Sequence, residues 1–223
     1  MTIVRAAAAE AIGTALLLAI VVGSGIMAER LAQGNAAVAL LANSIATGAG
    51  LYALIVMLGP ISGGHFNPIV SGVSVCERSI SGKRCIAYVL AQISGAFAGV
   101  AAAHVMFGMP IFQVSAHMRP TLGEGFGEMI ATFGLILIIS LTSRFRVEAI
   151  PLAIAAFITS AYWFTSSTSF ANPAVTLARA MTNTFAGISP QSVPLFLGGQ
   201  LFGGAAAMLF SRWLVFGSST NRT

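Results

Sequence analysis

Ile61-Ser62-Gly63-Gly64-His65-Phe66-Asn67-Pro68 and Ser166-Ser167-Thr168-Ser169-Phe170-Ala171-Asn172-Pro173 are the stretches on which the fold turns. Each is rich in Gly or Ser, lacks a helical pattern, and sits between strongly apolar segments. A short apolar run follows each, ending near Cys76 and near Met181, too short to cross a bilayer. Asn is a leading N-cap residue and Pro is favoured at the first helical position, so each Asn-Pro pair predicts the start of a half-helix. Irregular backbone at membrane depth is tolerated only where it is buried in protein or lines an aqueous cavity. The two stretches therefore imply a pore or a binding site inside a membrane.

The rest of the composition agrees that lipid is the solvent. The chain has 223 residues, 57% hydrophobic and 8% charged, whereas a soluble domain carries about 25% charged residues. Asp is absent, all six acids are Glu, and Leu31 to Cys76 holds no formal charge. Six apolar segments, about Ala6–Met27, Ala36–Leu58, Cys85–Phe107, Gly127–Thr142, Ala149–Thr165 and Val193–Phe216, each approach the ~20 residues that span a bilayer. The fold class expected is an all-α membrane protein with six transmembrane helices and two re-entrant half-helices. The first segment reads as a span and not as a cleaved leader.

An even number of spans puts both termini on one side. With that side cytoplasmic, Arg5, Arg78, Lys83, Arg84, Arg144, Arg146, Arg212 and Arg222 lie inside, against Arg30, Arg119 and Arg179 outside. This is the positive-inside pattern, and it accounts for the +5 net charge without nucleic acid as a partner. Cys76 and Cys85 lie in or beside a basic, inward-facing loop and are expected as free thiols. No spacing suits a metal, and no cofactor is implied.

The halves repeat. Ala9-Glu10-Ala11-Ile12-Gly13-Thr14 matches Gly127-Glu128-Met129-Ile130-Ala131-Thr132, Asn67-Pro68 matches Asn172-Pro173, and Ala91-Gln92 through Gly95 matches Gly199-Gln200 through Gly203. Repeat one covers about residues 1–110 and repeat two about 120–223 of a single channel domain, 1–223. Three spans per half is an odd number, so the second half is inverted about an axis in the membrane plane. Inversion brings both half-helix starts to the midplane. Their positive dipole ends would repel cations there, while two Asn carboxamides remain to hydrogen-bond a neutral permeant.

These landmarks, with Ser62-Gly63-Gly64-His65-Phe66-Asn67-Pro68, Tyr88-Val89-Leu90-Ala91-Gln92 and Asn172-Pro173-Ala174, resemble the aquaporins, or major intrinsic proteins, over nearly the whole chain. The resemblance implies an inverted 3+3 bundle assembled as a homotetramer, each subunit with its own pore for water and small neutral solutes. It implies that Asn67 and Asn172 are the pore asparagines. It further implies a carbonyl ladder from Gly63, Gly64, His65 and Phe66 and from Thr168, Ser169 and Phe170.

Glu10 and Glu128 are acids inside apolar spans, where an unpaired carboxylate is costly. A proton relay is one reading; the resemblance implies the other, that each accepts N–H bonds from a re-entrant loop. His65 reads as a structural histidine beside the pore, and His104 and His117 carry no motif.

The chain departs from the family at the constriction. Where most aquaporins have Arg after the second Asn-Pro-Ala, this chain has Val175. Counting from the asparagines gives Thr47, Ser160 and Ser169 for the other three positions. Four small uncharged side chains predict an opening wider than a single file of water. Arg179, one turn beyond Val175, either restores part of the charge or is an interfacial arginine snorkelling to water, the ordinary reading of such a residue. Ile69 replaces the Ala of the first motif. The stretch from Asn172 to Pro190 is similar to a bacterial branch associated with arsenic-resistance genes, whose substrates include arsenite and methylated arsenicals.

The expectation is a passive channel of a bacterial inner membrane, in contact with lipid, for glycerol-like polyols, arsenite, methylated arsenicals and water. The rivals are a water-selective aquaporin, an ion-coupled transporter using the two Glu, and an intramembrane hydrolase built on Ser62 and His65. No enzyme chemistry is expected.

Overall fold

The computed structural model describes residues 1–216, so Arg222 of the charge count lies outside the described residues. Eight α-helices follow one another among them: α1 Ile3–Leu31, α2 Ala36–Ser62, α3 Pro68–Cys76, α4 Gly82–Met106, α5 Leu122–Phe145, α6 Ile150–Phe164, α7 Pro173–Arg179 and α8 Val193–Phe216. Six helical segments are long and apolar enough to cross a membrane, α6 only together with the 3-10 turn Val147–Ala149 before it, and α3 and α7 are the half-helices. The order long, long, short, long occurs twice, as the repeat predicts.

Local chemistry sets the ends. Thr2, Asn35 and Ser81 cap α1, α2 and α4 through side-chain oxygens. Helix α5 starts five residues before the predicted segment, because Thr121 and Glu124 form a capping box ahead of the apolar run. Helix α2 stops where Gly63 takes a left-handed φ of 98°, its N–H returning to the Gly59 carbonyl. Two buried hydroxyls bond to the preceding turn, Thr14 to the Glu10 carbonyl and Thr165, at the end of α6, to that of Ala161, whereas the Thr132 hydroxyl inside α5 has no partner among the described residues.

Helix α1 packs along α4 and α2, α5 along α8, and α2 against α6 joins the halves. Small residues permit the closest crossings. A Cβ on Gly95 or Gly99 would run into the Ala11 or Ala15 carbonyl, and one on Gly199 or Gly203 into that of Gly125 or Met129. The same device thus serves both halves, as small-residue packing does in membranes generally. Gly13 leaves the space that the ring of buried Phe66 fills, wedging the first re-entrant loop against α1.

The molecule has two unlike ends. At the basic end Arg84 donates to the Met1 carbonyl and Arg212 to that of Cys76, so the N-terminus, the end of α3 and the end of α8 lie together. At the other, loop end, residues 107–121 lie across the segment after α7. Gln113 and Ser115 donate backbone N–H bonds to Met181 and Ala180, and Ser189 donates to His117. His104, fully buried, ties the two loops: its Nδ1 faces the Ile111 carbonyl at 2.6 Å and its Nε2 the Thr182 hydroxyl at 2.7 Å. A carbonyl only accepts, so Nδ1 is the donor to Ile111. No sequence motif marked this role.

Candidate functional site

The half-helices meet end to end inside the bundle. Asn67 caps α3 through its side-chain oxygen on the N–H of Ile69, and Asn172 caps α7 on the N–H groups of Ala174 and Val175. Each carboxamide also donates across the repeat axis: Asn67 Nδ2 to the Ala171 carbonyl and Asn172 Nδ2 to the Phe66 carbonyl, both at 2.7 Å. An amide nitrogen carries two protons. One on each is thereby fixed, and the other remains for whatever occupies the cavity that both residues line.

The loops before these asparagines hold costly backbone. Phe66 and Ala171, equivalent in the two halves, have φ of 46° and 49°, and Thr168 and Ser169 are also left-handed. Such conformations persist only where the surroundings over-determine them, and here a buried carboxylate does so. Glu10 accepts from His65 N–H at 2.9 Å and Phe66 N–H at 2.6 Å; Glu128 accepts from Phe170 and Ala171 N–H, both at 2.8 Å. Gln92 and Gln200 donate a further bond to Glu10 and Glu128, and each also reaches a hydroxyl on the half-helix, Ser71 or Thr176. The sequence aligned these glutamines between the halves without giving them a task. Ser71 and Thr176 were not singled out, although their matching distance from the asparagines was a usable signal.

A cavity of about 300 Å³ runs between the half-helices and the facing spans. Ser74, Glu77 and Ser143 line it toward the basic end; Thr47, Tyr162, Val175 and Arg179 line the part toward the loop end. Gly63, Gly64, His65 and Phe66 border it from the first loop, Ser169 and Phe170 from the second, and Ile55, Ile154 and Ile158 supply apolar wall opposite. The wall is thus backbone-rich loop on one part and hydrocarbon on another.

Several expected site residues fall elsewhere. Thr168 does not line the cavity; its hydroxyl is turned to Arg119, which donates to it at 3.2 Å and to the Ser167 carbonyl at 2.9 Å. Ser160 is exposed on the outer face of α6, its hydroxyl spent on the Phe157 carbonyl, so its assignment to the constriction is corrected. The inward face of α6 carries Ile154, Ile158 and Tyr162, and the Tyr162 hydroxyl lies 3.2 Å from that of Thr47. An α-helix turns about 100° per residue, so a difference of two positions moves a side chain to nearly the opposite face.

Arg179 is the second surprise. It is 2% exposed, not snorkelling, and its Nε donates to the Ala186 carbonyl. Its guanidinium carbon lies 3.4 Å from the centre of the Phe170 ring, which Arg119 also approaches at 5.3 Å.

The rival chemistries lack their geometry. The Ser62 hydroxyl donates to Glu10, and His65 Nδ1 faces Ser71 at 3.0 Å, so Ser62 and His65 do not form a nucleophile and base pair. Both carboxylates are consumed as loop acceptors, which leaves neither poised as one step of a proton path.

The sequence profile described as major intrinsic protein matches residues 1–162. The chain is 50% identical to the aquaglyceroporin AqpS of Rhizobium meliloti (strain 1021) over 211 residues, covering 95% of this chain and 90% of that protein. It is 28% identical to a probable aquaporin, PIP2-8, of Oryza sativa subsp. japonica, covering 96% of this chain and 83% of that one. Among solved structures, that of the aquaglyceroporin from Plasmodium falciparum superposes with a TM-score of 0.75 at 18% identity, covering 96% of this chain and 97% of that chain.

Proposed function

The chain belongs to the major intrinsic protein family, and from that premise we propose that it is a passive channel for small neutral solutes: glycerol-like polyols, arsenite, methylated arsenicals and water. The observation that carries this reading is the pair Asn67 and Asn172, whose free amide protons face one continuous cavity. The likeness to a bacterial aquaglyceroporin over almost the full length supports the polyol class. Arsenite at neutral pH is an uncharged trihydroxy molecule, so the same donors and carbonyls suit it. Val175 favours breadth, since an uncharged side chain there leaves room that a guanidinium would fill.

In this reading Glu10 and Glu128 brace the loops, and Gly63, Gly64, His65, Phe66, Ser169 and Phe170 offer the acceptors along the path. The protein is a homotetramer in a bacterial inner membrane, with the basic end and both termini in the cytoplasm. Exposed apolar side chains such as Leu90, Leu201 and Trp213 then face lipid or neighbouring subunits.

Proteoliposomes holding the purified protein, challenged with water, glycerol and larger polyols and assayed for arsenite and methylarsenate uptake, test the proposal. Permeation of water, glycerol and the arsenicals, with no dependence on proton or sodium gradients, is the expected result. Passage of water alone would overturn the solute class, and gradient-driven flux would overturn the passive mechanism.

A further inference from the structure

We propose that Arg179 supplies, from one turn farther along α7, the fixed cation and hydrogen-bond donors that Val175 lacks, and that Phe170 and Arg119 hold it in place. The inference rests on the cavity being the conduction path and not on which solute uses it. Arg179 lines that cavity while 2% exposed, and it forms no ion pair among the described residues. Its Nε is spent on the Ala186 carbonyl, and its head group lies on the Phe170 ring. Its two terminal amino groups have no protein acceptor among the described residues. A buried guanidinium is costly unless hydrogen-bonded. Donors left over on a cavity wall are therefore positioned for the oxygen atoms of a passing molecule.

A second orphan lines the same cavity: the buried Ser169 hydroxyl also has no partner among the described residues. Together with the Thr47 and Tyr162 hydroxyls they form a subsite for a neutral solute carrying several oxygens. One helical turn is about 5.4 Å, so the charge stands that much nearer the loop end than it would at Val175. The α7 start then keeps an apolar side chain where most of the family has the cation, and exclusion of ions and admission of bulk are divided between two levels.

Arg119 is a positioning residue. It comes from the loop at 107–121, bonds the Ser167 carbonyl and the Thr168 hydroxyl, and approaches the same Phe170 ring from which Arg179 takes its seat. Glu128 fixes the backbone of Phe170. The ring is thus held from both its backbone and its face.

The test uses the full chain in vesicles, reading potassium and proton leak as a ratio to water flux in the same preparation. In Arg179→Leu and Arg179→Gln that ratio should rise about 100-fold, the factor that one charge about 6 Å away exerts at an effective dielectric constant of about 20. The double variant Val175→Arg with Arg179→Leu should return it to the native value, which a merely structural role for Arg179 would not do. Arg119→Met should give a smaller rise in the same direction. An unchanged ratio in either inserted Arg179 variant, or no recovery in the double variant, would overturn the proposal. Should Arg179→Leu fail to insert, Arg179→Gln, which keeps an amide donor while removing the charge, decides the matter. If the native protein conducts neither water nor glycerol, the conduction path itself is wrong, an outcome separable from the loss of this inference alone.

Discussion

The carboxamide nitrogen of Asn172 lies 2.7 Å from the carbonyl oxygen of Phe66, and Asn67 returns the same bond to Ala171. Each asparagine therefore caps its own half-helix and locks the loop of the opposite repeat, and in the proposed function it keeps one donor for the permeant. Removing either should disturb both halves. Asn172→Leu deletes a cap worth about 1 kcal/mol and leaves the Phe66 carbonyl without its partner, so solute permeability should collapse in stopped-flow assays of inserted protein. Near-normal glycerol flux in that variant would contradict the assignment.

The two carboxylates act as acceptors on both oxygens. Glu128 takes bonds from Phe170, Ala171 and Gln200, so even Gln, which presents an amino group to one of these donors, is a poor substitute. Glu128→Gln should lower thermal stability in detergent by about 1–3 kcal/mol per mismatched buried group, and Glu128→Ala by more. Neither should introduce or abolish a pH dependence of flux. A proton current in the native protein that disappears in Glu128→Gln would show a relay instead.

The corrected face of α6 gives a paired test. Ser160→Leu, on the exposed side, should leave the permeability series unchanged. Tyr162→Phe leaves the Thr47 hydroxyl without its partner and should alter the ratio of glycerol to water flux, and Tyr162→Ala should admit polyols larger than the native limit. A size limit that follows Ser160 and ignores Tyr162 would reinstate the position counted from Asn172.

Val175→Arg places a second guanidinium one turn from Arg179, adding bulk and like charge to the loop-end part of the cavity. Large solutes should be lost first: methylated arsenicals nearly completely, glycerol and arsenite partly, water least. Uptake of each measured side by side checks the order, and an unchanged size limit would move the constriction elsewhere.

Close helix crossings should tolerate no added carbon. Gly203→Ala drives a Cβ into the Met129 carbonyl, and overpacking of this kind costs about 1–3 kcal/mol. Melting temperature in detergent should fall, whereas Gly72→Ala, where nothing lies in the way, should change it little.

Spans, half-helix starts, inversion and the capping by Asn67 and Asn172 were all legible in the chain, because each depends on chemistry within a few residues. Hydrophobic length marks a crossing, and Asn67 or Asn172 caps the N–H two places on, followed by a Pro that fits only the first turn. Glu10 and Glu128 were recognisable as polar partners inside apolar helices. Their complete partner sets were not, since Gln92 lies 82 positions from Glu10 and Gln200 lies 72 from Glu128. Tertiary packing alone decided the rotation of α6, which faces Tyr162 inward and Ser160 outward, and the burial of Arg179, which the sequence reads first as an interfacial arginine. Both depend on how one helix is turned against neighbours distant in the chain. Counting along the sequence fixes a residue's distance from the asparagines but not the direction in which its side chain points.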